Sequence, residues 1–334
     1  MSFSSRVLLM AVCGPFAFMA PAATAAPLYF VRAEAGAVQQ FESTVAVSAT
    51  AGDLFLYSGG QRTTDASAAA QPGSLRASAD ATVNVPSSSL GGTGSSAVGQ
   101  SRMILSDVVI SPLPGTTPTP VVPISLYLTL SGSLDTSAEI GSPHIGSAGG
   151  TASISVSGAL AGVLFSGGRT KTTTASASDG TVTDSPISGT GILADSSGVL
   201  LTPDAMVAID SPFTLDLTLI AGASAGYSYG GTTTASTAAL ATAHSQFNNT
   251  LTLGYNGQVF NLPTGYTANS IDGMIVNNQL VPEPSTAVLL ALGSLLAATV
   301  AAGRRCRKTM MATKLPRSCF CTICRVFAPK GGIA

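Results

Sequence analysis

Residues 213–219 read FTLDLTL, and this stretch predicts the fold class. Its apolar residues take every second position, at Phe213, Leu215, Leu217 and Leu219. Side chains of a β-strand point alternately to its two faces, so this spacing is typical of a half-buried strand. Three more stretches alternate in the same way, with inward positions predicted at Leu126, Leu128 and Leu130 in SLYLTL, at Val45, Val47 and Ala49 in TVAVSAT, and at Leu251, Leu253 and Tyr255 in TLTLGY.

The region around these stretches is predicted to be all-β. Gly-Gly pairs and single Pro residues punctuate it as turns, and no convincing amphipathic helix is found between residues 26 and 280. We expect an antiparallel β-sandwich, jelly-roll-like, whose sheets bury each other's apolar faces. The segment 111–123, SPLPGTTPTPVVP, is either a link between two β domains or a crossing loop within one sandwich. Three similar stretches at 56–70, 164–178 and 227–240 each carry a Gly-Gly pair before a Thr-rich strand, which is typical of a hairpin.

Composition and charge limit the function classes. Only 9% of the residues are charged and 6% aromatic, and small residues dominate. Between Pro27 and Val281 there are six Lys or Arg against fifteen Asp or Glu, a net charge of −9, whereas from Arg304 onward there are eight basic residues and no acidic ones. An acidic body argues against nucleic acid as a partner. The split in charge indicates two compartments.

The N-terminus is predicted to be a secretory signal peptide over residues 1–25. Arg6 precedes an apolar run from Val7 to Ala20, and a small-residue region follows, with cleavage expected after Ala25. The secretory translocon is therefore an expected partner. Residues 26–280 contain no cysteine, so this region has no disulfide and no thiol nucleophile.

The C-terminal stretch from residue 281 to residue 308, VPEPSTAVLLALGSLLAATVAAGRRCRK, predicts a membrane anchor. Residues 286–303 carry no charge, and 18 residues of helix span about 27 Å, close to the thickness of a hydrocarbon core. A basic stop-transfer cluster follows, at Arg304, Arg305, Arg307 and Lys308. Ser285 is placed to cap the helix, and the two prolines before it keep Val281 and Glu283 extended.

The residues Pro282, Glu283, Pro284 and Ser285, followed by the apolar run and the basic cluster, resemble a PEP-CTERM sorting signal. The stretch HSQFNNTLTLGYNGQVFNLPTGYTANSIDGMIVNNQLVPEP is similar to the end of one type of ectodomain in that family. The resemblance implies that a membrane enzyme, exosortase, recognises the motif. It also implies cleavage near the motif and transfer of the ectodomain of a bacterial protein to the cell surface or the extracellular matrix.

The chain continues beyond the basic cluster with a tail, residues 309–334. Cys319, Cys321 and Cys324 lie in this tail and Cys306 lies close to the predicted helix. Four thiols are a zinc-type ligand set, but their spacing is irregular and favours a free cytoplasmic tail.

Residues suited to catalysis are few. His144 lies in a predicted turn, and His244 alternates onto a polar face with Thr242 and Gln246, which favours solvated imidazoles. Asp179 and Asp184, with Asp195 nearby, are candidate calcium ligands, although solvated turn aspartates explain them as well. No catalytic residue and no cofactor is predicted.

The leading hypothesis is a non-enzymatic structural protein of the cell surface or the biofilm matrix. It is exported, held briefly in the inner membrane by its C-terminal helix, and then cleaved by exosortase. The first alternative is an extracellular module that binds carbohydrate, such as exopolysaccharide, or calcium. The second alternative is a secreted hydrolase, although no sequence motif supports it.

Overall fold

The structure is a computed structural model that describes residues 26–281 except 44, 58–59, 87–91, 142–145, 177–180, 195–197 and 230–237. The chain divides into two compact units, 1–281 and 282–334, and all described strands belong to the first. The predicted signal peptide, the sorting motif, the helix over 286–303 and the tail 309–334 lie outside the described residues.

The described strands follow the β-branched, Leu-rich and Ala-rich alternating stretches of the sequence, because side chains on a strand can be buried on one face only. They are β1 (Leu28–Ala35), β2 (Ala37–Ser43), β3 (Val47–Tyr57), β4 (Gly60–Gln71), β5 (Ser74–Val85), β6 (Thr93–Pro112), β7 (Val121–Leu130), β8 (Ser133–Ile140), β9 (Ser147–Leu160), β10 (Val163–Ala175), β11 (Val182–Gly191), β12 (Val199–Leu201), β13 (Ala205–Ala208), β14 (Phe213–Ser228), β15 (Ala239–Leu253), β16 (Phe260–Asn261), β17 (Tyr266–Ser270), β18 (Ile275–Val276) and β19 (Gln279–Leu280).

Two antiparallel sheets are built from these strands. The first sheet has the order β11-β10-β9-β14-β6-β1-β2, and β17 pairs with β6. The second sheet has the order β12-β7-β15-β5-β4-β3, with β13 and β16 on β7 and β8 on β15. The strands β18 and β19 form a separate short hairpin. The prediction of an all-β fold with antiparallel sheets is confirmed.

The inner faces of the two sheets contact each other along their length. β14 and β6 lie over β5, β9 lies over β15 and β8, and β1 lies over β4 and β3. Residues 113–120, within the predicted break, connect β6 of the first sheet to β7 of the second. This segment therefore crosses between two sheets that share one core.

The core has two regions, which differ in side-chain size. The alanine region surrounds the beginning of β6 and the end of β14, and its buried residues are Ala66, Ala68, Ala77, Ala79, Ala81, Ala221, Ala223, Ala225, Ala241 and Ala243. The leucine region lies toward the end of β6 and the beginning of β14, and its buried residues include Met103, Leu105, Ile110, Ile124, Leu126, Leu128, Leu160, Leu215, Leu217 and Phe260.

Most of the predicted inward positions are buried or half-buried, but two are exposed. Val45 precedes β3 and is 68% exposed. Tyr255 follows Gly254, whose positive φ of 95° turns the chain away from β15, and its side chain is 42% exposed. In both cases the alternation extends past the end of the strand, and the prediction of burial is wrong.

The predicted Gly-Gly turn in residues 164–178 is also wrong. Gly167 and Gly168 lie inside β10, where both pair with β9 and β11. A Cβ on Gly167 would lie 2.6 Å from the backbone nitrogen of Leu193. The glycine is needed here because the chain that follows β11 passes directly over the strand, and not because the chain turns.

Candidate functional site

The C-terminal segment of the described chain, residues 266–281, leads directly into the predicted sorting motif. β17 runs along the end of β6, from Tyr266 opposite Pro112 to Ser270 opposite Val108. The backbone N–H of Val281 donates to the carbonyl of Met274 at 2.9 Å, so the last described residue is still bonded within this segment.

An asparagine turn holds this segment against the second sheet. Asn277 and Asn278 have φ of 53° and 62° and join β18 to β19, as in the two-residue hairpin turns that favour asparagine. The Asn278 side chain accepts from the N–H of Phe260 at 2.9 Å and donates to its carbonyl at 2.8 Å. This turn was not predicted from the sequence, although the Asn-Asn pair is a local signal for it.

The beginning of β1 and the end of the described chain lie at the same end of the sheets. Leu28 pairs with Ile104, in the half of β6 that lies in the leucine region. The hydroxyl of Tyr29 donates to Sδ of Met274 at 3.8 Å. The chain therefore enters and leaves the two-sheet body at its leucine end.

Three Asp side chains and one His side chain form a row across the outer face of the second sheet, called the charged row below. Asp135, His244, Asp80 and Asp65 stand directly opposite one another on β8, β15, β5 and β4. Nδ1 of His244 lies 2.7 Å from Oδ1 of Asp80. Asp65 reaches across Gly52, where a Cβ would lie 2.6 Å from its Oδ1. Asp65 and Asp80 carry like charges and stand opposite each other. Because Gly52 has no side chain, the Asp65 carboxylate can lie over it and away from Asp80.

Rows of hydroxyl groups flank this charged row. On one side the Ser137 and Thr242 hydroxyls lie 2.7 Å apart, and on the other side those of Ser67 and Ser78 lie 2.7 Å apart. His244 shares its face with Thr242 and Gln246, as the alternation predicts. The contact of His244 with Asp80 was not predicted from the sequence, because the pairing of β5 with β15 joins residues 164 positions apart. A face of this kind offers hydrogen bonds to a polyhydroxylated ligand.

An ion pair occupies a shallow concavity on the outer face of the first sheet. Arg102 donates to both carboxylate oxygens of Asp216, at 2.9 and 2.6 Å, and these bonds raise the pKa of Arg102. The concavity measures about 510 Å³, and Gln100, Ser157 and Thr218 contribute to its walls. The pair joins β6 to β14 through two hydrogen bonds. Because its two charges neutralise each other, it presents no net charge to a ligand.

Of the two candidate calcium ligands, the structure describes Asp184. This residue lies on the exposed edge strand β11, where its Oδ1 accepts from the Thr173 hydroxyl at 2.8 Å. Its Oδ2 lies 3.9 Å from Nζ of Lys171. Asp179, Asp195 and His144 lie outside the described residues. Within the ranges that the structure describes, no three His, Cys, Asp or Glu side chains are grouped to hold a metal ion.

The predicted sorting residues Pro282, Glu283, Pro284 and Ser285, the cleavage position Ala25 and the four stop-transfer residues all fall outside the described part of the chain. Between residues 26 and 281, apart from the gaps named above, no helix is long and apolar enough to cross a membrane. Searches for similar proteins found no family model, no curated protein and no solved structure that matches the chain.

Proposed function

We propose that this chain is an exported, non-enzymatic surface or matrix protein and that it is the substrate of an exosortase. The observation that carries the proposal is where the first unit ends. The compact unit closes at Val281, whose N–H is bonded to Met274, and the Pro282-Glu283-Pro284 motif begins at the next residue. A processing enzyme that acts near this motif would cut next to the folded body and leave its strands intact.

The steps of the proposed route follow from the sequence. The translocon exports the chain, and the signal peptide is removed after Ala25. The helix over 286–303 holds the chain in the membrane, and the basic cluster after it stays on the cytoplasmic side. Pro282 has no N–H and therefore cannot extend the pairing of the β18–β19 hairpin. The motif then stays extended and open to the enzyme, and cleavage releases a jelly-roll-like sandwich to the surface or matrix.

Mass measurement of the protein from membrane and surface fractions tests this proposal. The wild-type surface form is expected to lack both residues 1–25 and the C-terminal helix. Replacing Pro282 and Pro284 with Ala is expected to keep the full C-terminus in the membrane fraction. The matched control is Pro118→Ala with Pro120→Ala, because this exposed pair has the same spacing within a loop. Release of the Pro282 and Pro284 variant at the control level would contradict the proposal.

The second candidate function is binding of a polysaccharide on the outer face of the second sheet. The observation that favours it is the His244–Asp80 pair between two rows of bonded hydroxyls. Saturable binding to purified exopolysaccharide, weakened by Asp80→Asn and unchanged by Asp204→Asn, would support it. Abundant protein without saturable binding would favour a purely structural role, and turnover of a glycan or ester substrate would favour the hydrolase alternative.

A further inference from the structure

The turn that follows β17 covers an irregularity in β6. The register between β6 and β14 shifts between Leu105 and Val108, so that one strand carries an extra residue there. Asp107 lies in this bulge and is only 5% exposed. Ser270, the last residue of β17, pairs with Val108, and the turn 271–274 therefore begins beside the buried carboxylate.

The two oxygens of Asp107 have different surroundings. Oδ2 accepts the backbone N–H of Asp272 at 3.1 Å, and the Asp107 carbonyl accepts the N–H of Ile271 at 3.3 Å. Oδ1 is fully buried and has no hydrogen-bond partner among the described residues. A buried, unpartnered carboxylate oxygen is costly, so a native structure normally supplies it with a partner.

A second carboxylate lies at this position. Oδ1 of Asp272 accepts the Ser270 hydroxyl and also the N–H of Met274 at 2.9 Å, and these two bonds orient the side chain within the turn. Its other oxygen takes no part in those two bonds. Burial, and then the nearby charge of Asp272, raise the pKa of Asp107. Two carboxylates therefore lie at this turn, and Asp107 is buried whereas Asp272 is half-buried.

We propose that Asp107 and Asp272 together bind a divalent cation, and that calcium is the ion whose chemistry fits. Calcium takes carboxylate and carbonyl oxygens and completes its shell with water. In the proposed site, Oδ1 of Asp107 would supply a buried ligand and Asp272 would supply a second carboxylate. Because Asp272 is only half-buried, water could complete the shell from its side. The ion neutralises two adjacent negative charges. This site is distinct from the candidate ligands Asp179 and Asp184, and it does not depend on the proposed sorting function.

A cation at this position would join β6 to the C-terminal segment. Ser270 and Asp272 belong to the stretch that continues through β18 and β19 to Val281. With the ion bound, separation of this stretch from β6 would take Asp272 away from Asp107 and so break the proposed site. It would also expose Met274 and Ile275, both of which are buried. Binding is therefore expected to stabilise the fold, because the unfolded chain does not hold the two carboxylates together.

Thermal unfolding of the full chain in detergent tests the proposal, with calcium chloride alone as the probe. The protein is first treated with EDTA, and calcium is then titrated at pH 7 and constant ionic strength. Extracellular calcium sites bind with Kd of about 0.1–1 mM, so at tenfold excess over Kd we expect Tm to rise by about 2–5 °C. Asp107→Asn is expected to abolish this rise, and Asp204→Asn, in an exposed loop, is expected to retain it.

Asp107→Asn keeps an oxygen that can accept the Asp272 N–H, so this variant is expected to fold. If it does not, Asp272→Asn and equilibrium dialysis of the wild type against radioactive calcium provide separate tests, with one ion per chain expected. An unchanged Tm in the wild type would overturn the proposal, as would an equal rise in Asp107→Asn. A rise that is lost in Asp184→Asn and kept in Asp107→Asn would place the ion elsewhere and would also overturn it.

Discussion

The alanine region and the leucine region of the core are packed in different ways. In the alanine region the backbones of the two sheets nearly touch: a Cβ on Gly99 would lie 2.6 Å from the carbonyl oxygen of Ser78 in the opposite sheet, and one on Gly150 would overlap the carbonyl of Thr242. In the leucine region, large side chains such as Leu126 and Leu128 fill the space between the sheets. The core is therefore filled in two ways. In the alanine region small residues let the two backbones approach each other, and in the leucine region large side chains interdigitate.

The close approach also changes where hydroxyl groups can be buried. Ser245 is completely buried, and its hydroxyl donates across the core to the carbonyl of Ser153 at 2.7 Å. The hydroxyls of Thr136 and Thr173 meet across the sheets at 2.6 Å. Sheets that pack through large side chains lie about 10 Å apart, which is beyond the reach of such bonds. The Ser and Thr content of this chain therefore contributes to the core as well as to the surface.

The largest expected effect is loss of a large side chain from the leucine region. Leu126→Ala leaves a cavity and is expected to lower the free energy of unfolding by about 2–5 kcal/mol. Chemical denaturation monitored by circular dichroism would measure this loss. The control is Leu164→Ala, since Leu164 is 79% exposed and its truncation is expected to change stability by less than about 0.5 kcal/mol. Equal effects of the two changes would mean that the leucine region is not the packed part of the core.

Addition of a single methyl group to the alanine region is expected to have the next largest effect. In Gly150→Ala the new Cβ meets backbone of the opposite sheet, which cannot rotate away, so we expect a loss of about 1–3 kcal/mol. Gly226→Ala is the matched control, because its Cβ would lie 3.8 Å from the carbonyl of Thr93, an ordinary contact. If Gly150→Ala were as stable as Gly226→Ala, the close approach of the sheets would be disproved.

Loss of a hydrogen bond between the sheets is expected to cost less. Ser245→Ala removes the donor to the Ser153 carbonyl, and we expect a loss of about 1 kcal/mol. Ser224→Ala, on the exposed outer face of β14, serves as the control and is expected to be nearly neutral. A stabilised Ser245→Ala variant would show that the alanine region prefers apolar packing to this bond.

The sequence predicted the local features of the fold better than its close contacts. Alternation placed Leu126, Leu215 and Leu251 in the core because burial on one face of a strand leaves a period of two in the sequence. It failed at Val45 and Tyr255, since the pattern does not mark where a strand ends. The close approach at Gly150 was not predictable, because it depends on which distant strand lies opposite.

The candidate sites show the same limit. The sequence predicted that His244 shares a polar face with Thr242, but its bond to Asp80 depends on the register of two distant strands. Asp107 carried no local signal, because its bulge and the covering turn come from segments more than 160 residues apart. Long-range pairing therefore determines both the charged row and the buried carboxylate.

The smallest expected effect is the pH dependence contributed by Asp107 at the edge of the leucine region. Burial and the charge of Asp272 raise its pKa in the folded state above the ordinary value of 3.8. The folded protein then binds this proton more tightly than the unfolded chain does. In calcium-free buffer, the contribution of Asp107 to the free energy of unfolding should therefore fall as pH rises from about 4 through its folded pKa, and stay constant above it.

Urea denaturation of the wild type and of Asp107→Asn, in EDTA from pH 3.5 to 7.5, isolates this contribution, because the other carboxylates titrate in both proteins. The stability of the wild type relative to Asp107→Asn is expected to decrease with rising pH. A relative stability that increases over this range would mean that Asp107 is better stabilised as a carboxylate in the folded protein than in the unfolded chain. In that case hydrogen bonds, and not burial, would dominate its surroundings, and the leucine region would tolerate a charge at its edge without a counterion.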